Sequence, residues 1–205
     1  MKHFLALFVL LAAVVGHSQI VINGGTAGIT LTGTVLMTST NSAAVTLLES
    51  SITSGGGAHQ FGSAAAKYYA ANAHWTNASP RTVKKVVFRL NKIAGTIVGK
   101  NYTARIWTMT GDDLTTEVGT SDAVAGSDGW SNTDVEFTFS TPVSLSAATE
   151  YAFTVDAGVS DASNYAGGLN TTPKTIPGWL TWQRNTLLIN SASTNYNLMM
   201  AIYVQ

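Results

Sequence analysis

Val83-Lys84-Lys85-Val86-Val87-Phe88-Arg89-Leu90 sets apolar side chains among charged ones at short intervals, and four later stretches repeat the pattern. They are Thr103-Ala104-Arg105-Ile106-Trp107-Thr108-Met109, Val135-Glu136-Phe137-Thr138-Phe139, Tyr151-Ala152-Phe153-Thr154-Val155-Asp156 and Asn197-Leu198-Met199-Met200-Ala201-Ile202-Tyr203-Val204. Successive side chains of a strand point to opposite faces, so each run buries one face and wets the other. The pattern predicts an all-β chain folded as an antiparallel β-sandwich.

The 205 residues suffice for one sandwich with a sizeable core, plus an N-terminal extension. Charged residues make up 11% of the chain, against a usual value of about 25%. The polar surface must therefore come largely from Ser, Thr, Asn and Gly. Lys+Arg and Asp+Glu each number 11, so no basic field exists to attract nucleic acid. Arg81, Lys84, Lys85 and Arg89 form the one basic cluster, and they alternate with apolar residues as the wet face of a strand would.

Met1-Lys2-His3 followed by an apolar run to Val15 and then Gly16-His17-Ser18 has the form of a secretory signal peptide over residues 1–18. A membrane anchor would need about 20 apolar residues, and polar ones arrive by His17. Neither a hydrophobic tail nor a sorting motif follows the last predicted strand. The expectation is a secreted, extracellular protein with no membrane span after signal cleavage. Cysteine is absent. This removes thiol nucleophiles, zinc–thiolate sites and iron–sulfur clusters, and it leaves the core to hold the fold without disulfides.

Residues 19–57 form a low-charge extension rich in Thr, Ser and Gly, with Glu49 its one charged residue. Ile20-Val21-Ile22, Ile29-Thr30-Leu31, Val35-Leu36-Met37 and Val45-Thr46-Leu47-Leu48 favour short strands over a disordered linker. They would add to the sandwich or pair with a partner. Residues 58–205 are assigned to the sandwich domain. Its early part reads as an irregular strand pair, with a short helix over residues 64–73 as the alternative. Thr141-Pro142 reads as a strand break. Residues 156–177, rich in Gly, Asn and Ser, read as a long loop.

The succession from Val83 through Thr103-Ala104-Arg105-Ile106-Trp107 to Val135-Glu136-Phe137-Thr138-Phe139-Ser140-Thr141-Pro142-Val143-Ser144-Leu145 and Glu150-Tyr151-Ala152-Phe153 resembles the jelly-roll sandwich domains called choice-of-anchor domains. These occur in secreted and surface proteins of microbes and viruses. More loosely, the chain is similar to carbohydrate-binding modules of the same fold. The resemblance spans residues 61–205 and is closest over 82–156. It implies a jelly-roll topology and speaks weakly for function. The family's C-terminal anchors have no counterpart here.

No Gly-x-Ser-x-Gly elbow or His-Glu-x-x-His is present. His59 and His74, the two His beyond residue 18, have no neighbouring Ser or carboxylate in a triad's context, so the chain is read as non-catalytic. A hydrolase would need two acids across a cleft. No cofactor is implied, with calcium the one metal that loop carboxylates would suit, at Asp112, Asp113 and Asp128. Asp156 and Asp161 are placed in loops too. The competing view is that these are turn-forming Asp bonded to nearby backbone.

The aromatics give the candidate ligand site. Sugars stack their apolar faces on exposed rings while polar groups fix orientation. Trp107 shares a strand face with Arg105 and Met109, opposite Ala104 and Ile106, so it points outward if Ile106 points in. Trp179 and Trp182 lie at or beside the Pro177-Gly178 turn. Trp107, Trp179, Trp182 and Arg105 are therefore the candidate ligand-binding residues, and each Trp has a core-packing alternative. Asn77, Asn101 and Asn170 head N-glycosylation patterns. The expected function is an exported binding module for glycans or another surface polymer. The alternative is a structural, assembly or adhesion protein of a cell surface, matrix or virion, self-associating through its N-terminal extension.

Overall fold

The computed structural model describes residues 43–53, 56–61, 69–158, 161–172, 176, 178–183 and 191–205. Residues 1–18, read above as a signal peptide, and most of the segment read as an extension lie outside the described residues. Val45–Gln205 forms one compact unit.

That unit is all-β and antiparallel, with two sheets. The first contains β1 (Thr46–Ser50), β2 (Ala58–Phe61), β4 (Arg81–Ala94), β8 (Thr133–Leu145), β10 (Tyr165–Thr171), β13 (Asn197–Leu198) and β14 (Met200–Val204). The second contains β3 (Tyr69–Trp75), β5 (Asn101–Thr110), β6 (Asp113–Thr120), β7 (Val124–Ala125), β9 (Tyr151–Asp156), β11 (Trp179–Gln183) and β12 (Ser191–Ser193). The sheets meet over one core, where Val86, Phe88, Leu90, Phe137 and Phe139 of the first pack with Trp75, Ala104, Ile106, Phe153 and Val155 of the second. Phe88 and Phe137 meet edge to face at 6.0 Å, and Trp75 meets Phe153 at 5.2 Å. Contacts of this kind add about 0.5–1.5 kcal/mol each beyond burial.

Strand β4 explains an imperfection in its own sequence. Val83 faces the core, but so do Val86, Phe88 and Leu90, which are out of phase with it. The register shifts between Val83, opposite Val143, and Lys85, opposite Thr138. Lys84 sits at this irregularity and donates from Nζ to the Phe139 carbonyl at 2.9 Å. Pro142, which has no N–H to give a ladder, lies on the partner strand within the same irregularity. Thr141-Pro142 therefore does not end a strand, because β8 runs through it from Thr133 to Leu145.

Other segments also differ from the sequence pattern. The long loop expected after Asp156 contains β10, held between β2 and β4. Its Ala166-Gly167-Gly168 carries almost no apolar mass to announce a strand, since it is covered from both sides. Trp179 and Trp182 lie within β11, which starts directly beside Gly178. Residues 69–75, by contrast, form a strand in line with the strand-pair reading of the early part, with Ala70, Ala71 and Ala73 buried in the body of the second sheet. Part of the segment assigned to the extension, Thr46–Ser50, pairs with β14 in the first sheet. At Met199 the chain bends between β13 and β14, and its N–H and carbonyl are taken by Leu169 and Arg89.

Candidate functional site on the second sheet

Ala104 and Ile106 of β5, and Phe153 and Val155 of β9, point into the core. Alternation then sends Arg105 and Trp107, with Ala152, Thr154 and Asp156, to the outer face. Arg105 stands opposite Thr154 and Trp107 opposite Ala152. Trp107 is half-buried and packs on a small outer cluster of Ala73, Met109, Leu114 and Ala152. Its Nε1 donates to Thr154 Oγ1 at 3.2 Å, and that hydroxyl donates on to the Arg105 carbonyl. The ring is thus drawn across β9 and fixed at its polar edge. A floor of Ala71, Ala73, Ala152 and Thr154, all essentially buried, lies along this face.

Arg105 is fixed as well. Its Nε donates to Asp156 Oδ2 at 3.1 Å and its Nη1 to Glu117 Oε2 at 2.8 Å. Asp156 also accepts from the Gly158 N–H at 2.9 Å. Burial pushes the Asp156 carboxyl above its ordinary value, and Arg105 opposes that rise. Burial works against the Arg105 charge, but the bonds to Glu117 and Asp156 outweigh it and the guanidinium is held more firmly protonated than usual. Asp156 is therefore the buried partner of Arg105 at the end of a strand, not a loop ligand.

At the end of the face beyond Met109, β3 bulges between Asn72 and Trp75. His74 there adopts a φ of 54°, a left-handed conformation uncommon for His. Its N–H donates to Met109 Sδ, Nε2 lies 3.1 Å from Asp112, and Nδ1 lies 3.3 Å from Glu150. A neutral imidazole can donate to only one of the two carboxylates.

The three candidate calcium ligands are not brought together. Asp112 and Asp113 sit at the exposed β5–β6 turn. Asp128 instead braces residues 96–97, accepting from the Ile97 N–H at 2.7 Å and the Thr96 hydroxyl at 2.8 Å. Those two bonds hold its carboxyl below the ordinary range. Asp161 is likewise held low by Lys100, Ser163 and Asn164. Between them Tyr102 is pushed up to about 12, first by burial and then by these two carboxylates. Among the described residues, no group of three or more His, Cys, Asp or Glu side chains is placed to hold a metal.

The candidate tryptophans separate by register. Trp179 stands opposite Ala73, a member of the outer cluster, whereas Trp182 stands opposite Ala70, a member of the core. The two occupy positions on opposite faces of the sheet, and their side chains lie outside the described residues, as does that of His59. Trp75 and Trp130 are core residues, Trp130 packing on Tyr102 at 5.0 Å. Of the glycosylation patterns, Asn101 is exposed, while Asn170 and the carboxamide of Asn77 are buried. The Asp156 and Glu117 partners of Arg105 and the His74 corner have no signal in the linear sequence, because each depends on strand register.

No protein-family model matches this chain, and no curated protein matches it either.

Proposed function

We propose that the chain is an exported, non-catalytic module that binds glycans or another surface polymer on the outer face of its second sheet. The observation that carries this is the fixed, half-buried Trp107 with Arg105 two residues away on the same face. An aromatic ring that is already immobilised loses little entropy when a sugar stacks on it, and a nearby anchored guanidinium supplies directional donors. The alternation of the chain between two antiparallel sheets favours a jelly-roll sandwich of the choice-of-anchor type, and residues 1–18 favour secretion. Binding of this kind needs no metal. If calcium takes part, the exposed Asp112–Asp113 turn is its place.

The test is intrinsic Trp fluorescence during titration with soluble polysaccharides, for wild type and Trp107→Ala. A saturable shift lost in the variant supports the proposal. No response to any polysaccharide, or an undiminished response in the variant, rejects it.

One observation favours a second reading, an assembly or adhesion protein. Among the described residues β1 ends the strand order of the first sheet, where Leu47 is 54% exposed and Val45, just before the strand, 44%. An apolar edge strand is a template for pairing with another chain. The bulge between Leu47 and Glu49 weakens that template. Light scattering of wild type and Leu47→Lys decides it: oligomers that vanish in the variant favour assembly, and a monomer throughout rejects it.

A further inference from the structure

We propose that this face selects neutral glycans and rejects polyanionic ones, an inference that rests on the glycan-binding proposal above. Arg105 is the only Lys or Arg on the described strands of the second sheet. A lone exposed arginine beside a tryptophan would suit a uronate or a sulfate, by a bidentate charge-assisted pair. Arg105 is not free to make one. Nε and Nη1 are committed to Asp156 and Glu117, so one positive charge is bracketed by two negative ones. Nη2 meets no protein acceptor among the described residues and remains a donor.

A donor of this kind suits a hydroxyl or an amide carbonyl. A sugar carboxylate at the same point would gain Arg105 and meet both Asp156 and Glu117. Like charges brought together at an interface select strongly against the wrong partner. Farther along the face, His74 is flanked by Asp112 and Glu150, which adds negative charge rather than positive. Trp107 thus lies between two sets of carboxylates. The ligand class that fits is an uncharged polysaccharide whose ring stacks on Trp107 and whose hydroxyl or acetamido oxygen accepts from Arg105 Nη2.

The experiment compares a neutral β-glucan, a neutral xylan, polygalacturonate and alginate by fluorescence titration, on wild type, Glu117→Gln and Trp107→Ala. Wild type should bind a neutral polymer at least about tenfold more tightly than either polyuronate at low salt. Glu117→Gln keeps an acceptor for Nη1 and removes one negative charge. It should shift the ratio of polyuronate to neutral affinity by about fivefold toward the polyuronate. Should that variant fold poorly, wild type alone suffices. Raising salt from about 20 mM to about 500 mM should narrow the discrimination, since the repulsion is screened. Polyuronate binding as tight as neutral binding, lost in Trp107→Ala, overturns the selectivity and leaves the binding proposal standing. No binding of any polymer, or binding unchanged in Trp107→Ala, overturns both.

Discussion

On the outer face of the first sheet, Lys85 meets Glu136 at 2.8 Å and Arg89 meets Asp134 at 2.7 Å, with carboxylates 60% and 44% exposed. On the outer face of the second, Arg105 meets Asp156 at 3.1 Å, and that carboxylate is 10% exposed. The first face also has an aromatic, Tyr203, with Lys85 Nζ 4.5 Å from its ring centre. The second has Trp107, tied by its indole N–H to the next strand. The ingredients are similar and the burial is not. On the first face water reaches the carboxylates, although Arg89 grips Asp134 with two bonds and also holds the Thr53 carbonyl. The small residues beneath the second set let larger side chains lie down, so each is fixed by its neighbours. The two faces thus differ in the desolvation of the Asp156 carboxylate and in an indole tied across β9, not in how firmly their arginines are held.

The sharpest way to break this comparison is by binding. Trp107→Ala should weaken glycan binding by at least about thirtyfold, an effect of the size found at interface hot spots. Tyr203→Ala, on the other face, should change it by less than about twofold. Equal losses in the two variants would erase the distinction. Next in size is stability. Arg105→Met leaves Asp156 buried and unpaired, and because Arg105 itself is partly exposed the cost should be about 1–2 kcal/mol. Arg89→Met should cost less than about 1 kcal/mol. Urea unfolding measures both, and similar values would show that burial does not separate the faces.

A smaller effect sharpens the contrast by pH. Asp128 and Asp161 have lowered folded values, so their contribution is present above about pH 4 and is lost as pH falls through those values. Asp156 has a raised folded value and the opposite sign: its ionisation costs stability as pH rises through it. Asp161→Asn should therefore lower the urea midpoint at pH 7 and still do so near pH 3, the effect fading only as the pH falls further toward the folded value, and a loss already gone by about pH 4 would contradict the assignment. The smallest effect is expected from chelation. Removing divalent ions should leave binding unchanged within error, since Asp128 is engaged elsewhere. A loss of binding would restore calcium at the Asp112–Asp113 turn.

Strands rich in large apolar residues announce themselves in the linear sequence. In β5, β8 and β9, Ile106, Phe137, Phe139, Phe153 and Val155 mark the buried face plainly. Strand β10 does not, because Ala166, Gly167 and Gly168 are small where neighbours crowd them, and β3, with Ala70 and Ala71, shows only as an irregular pair. A strand that contributes little volume leaves little periodic trace. The outward aim of Trp107 and Arg105 follows from alternation alone. Their partners do not, since Asp156 is 51 residues from Arg105 and Glu117 is 12 away. The opposite placement of Trp179 and Trp182 needs only their odd spacing once β11 is known to run through both.

Strand β14 lies between β1 and β4, and the Ser51 hydroxyl that seals its junction with β13 reaches the Leu198 carbonyl across 147 residues of chain. The interior of the first sheet is therefore closed by a strand that lies far along the chain from its β1 neighbour. Without residues 200–204, β1 has no neighbour among the described strands and β4 lacks its partner over Val83–Phe88. Pairings so distant in sequence make folding slow, because chain ends must meet before any contact rewards them. A sheet of this order stays open until two segments far apart in the chain meet.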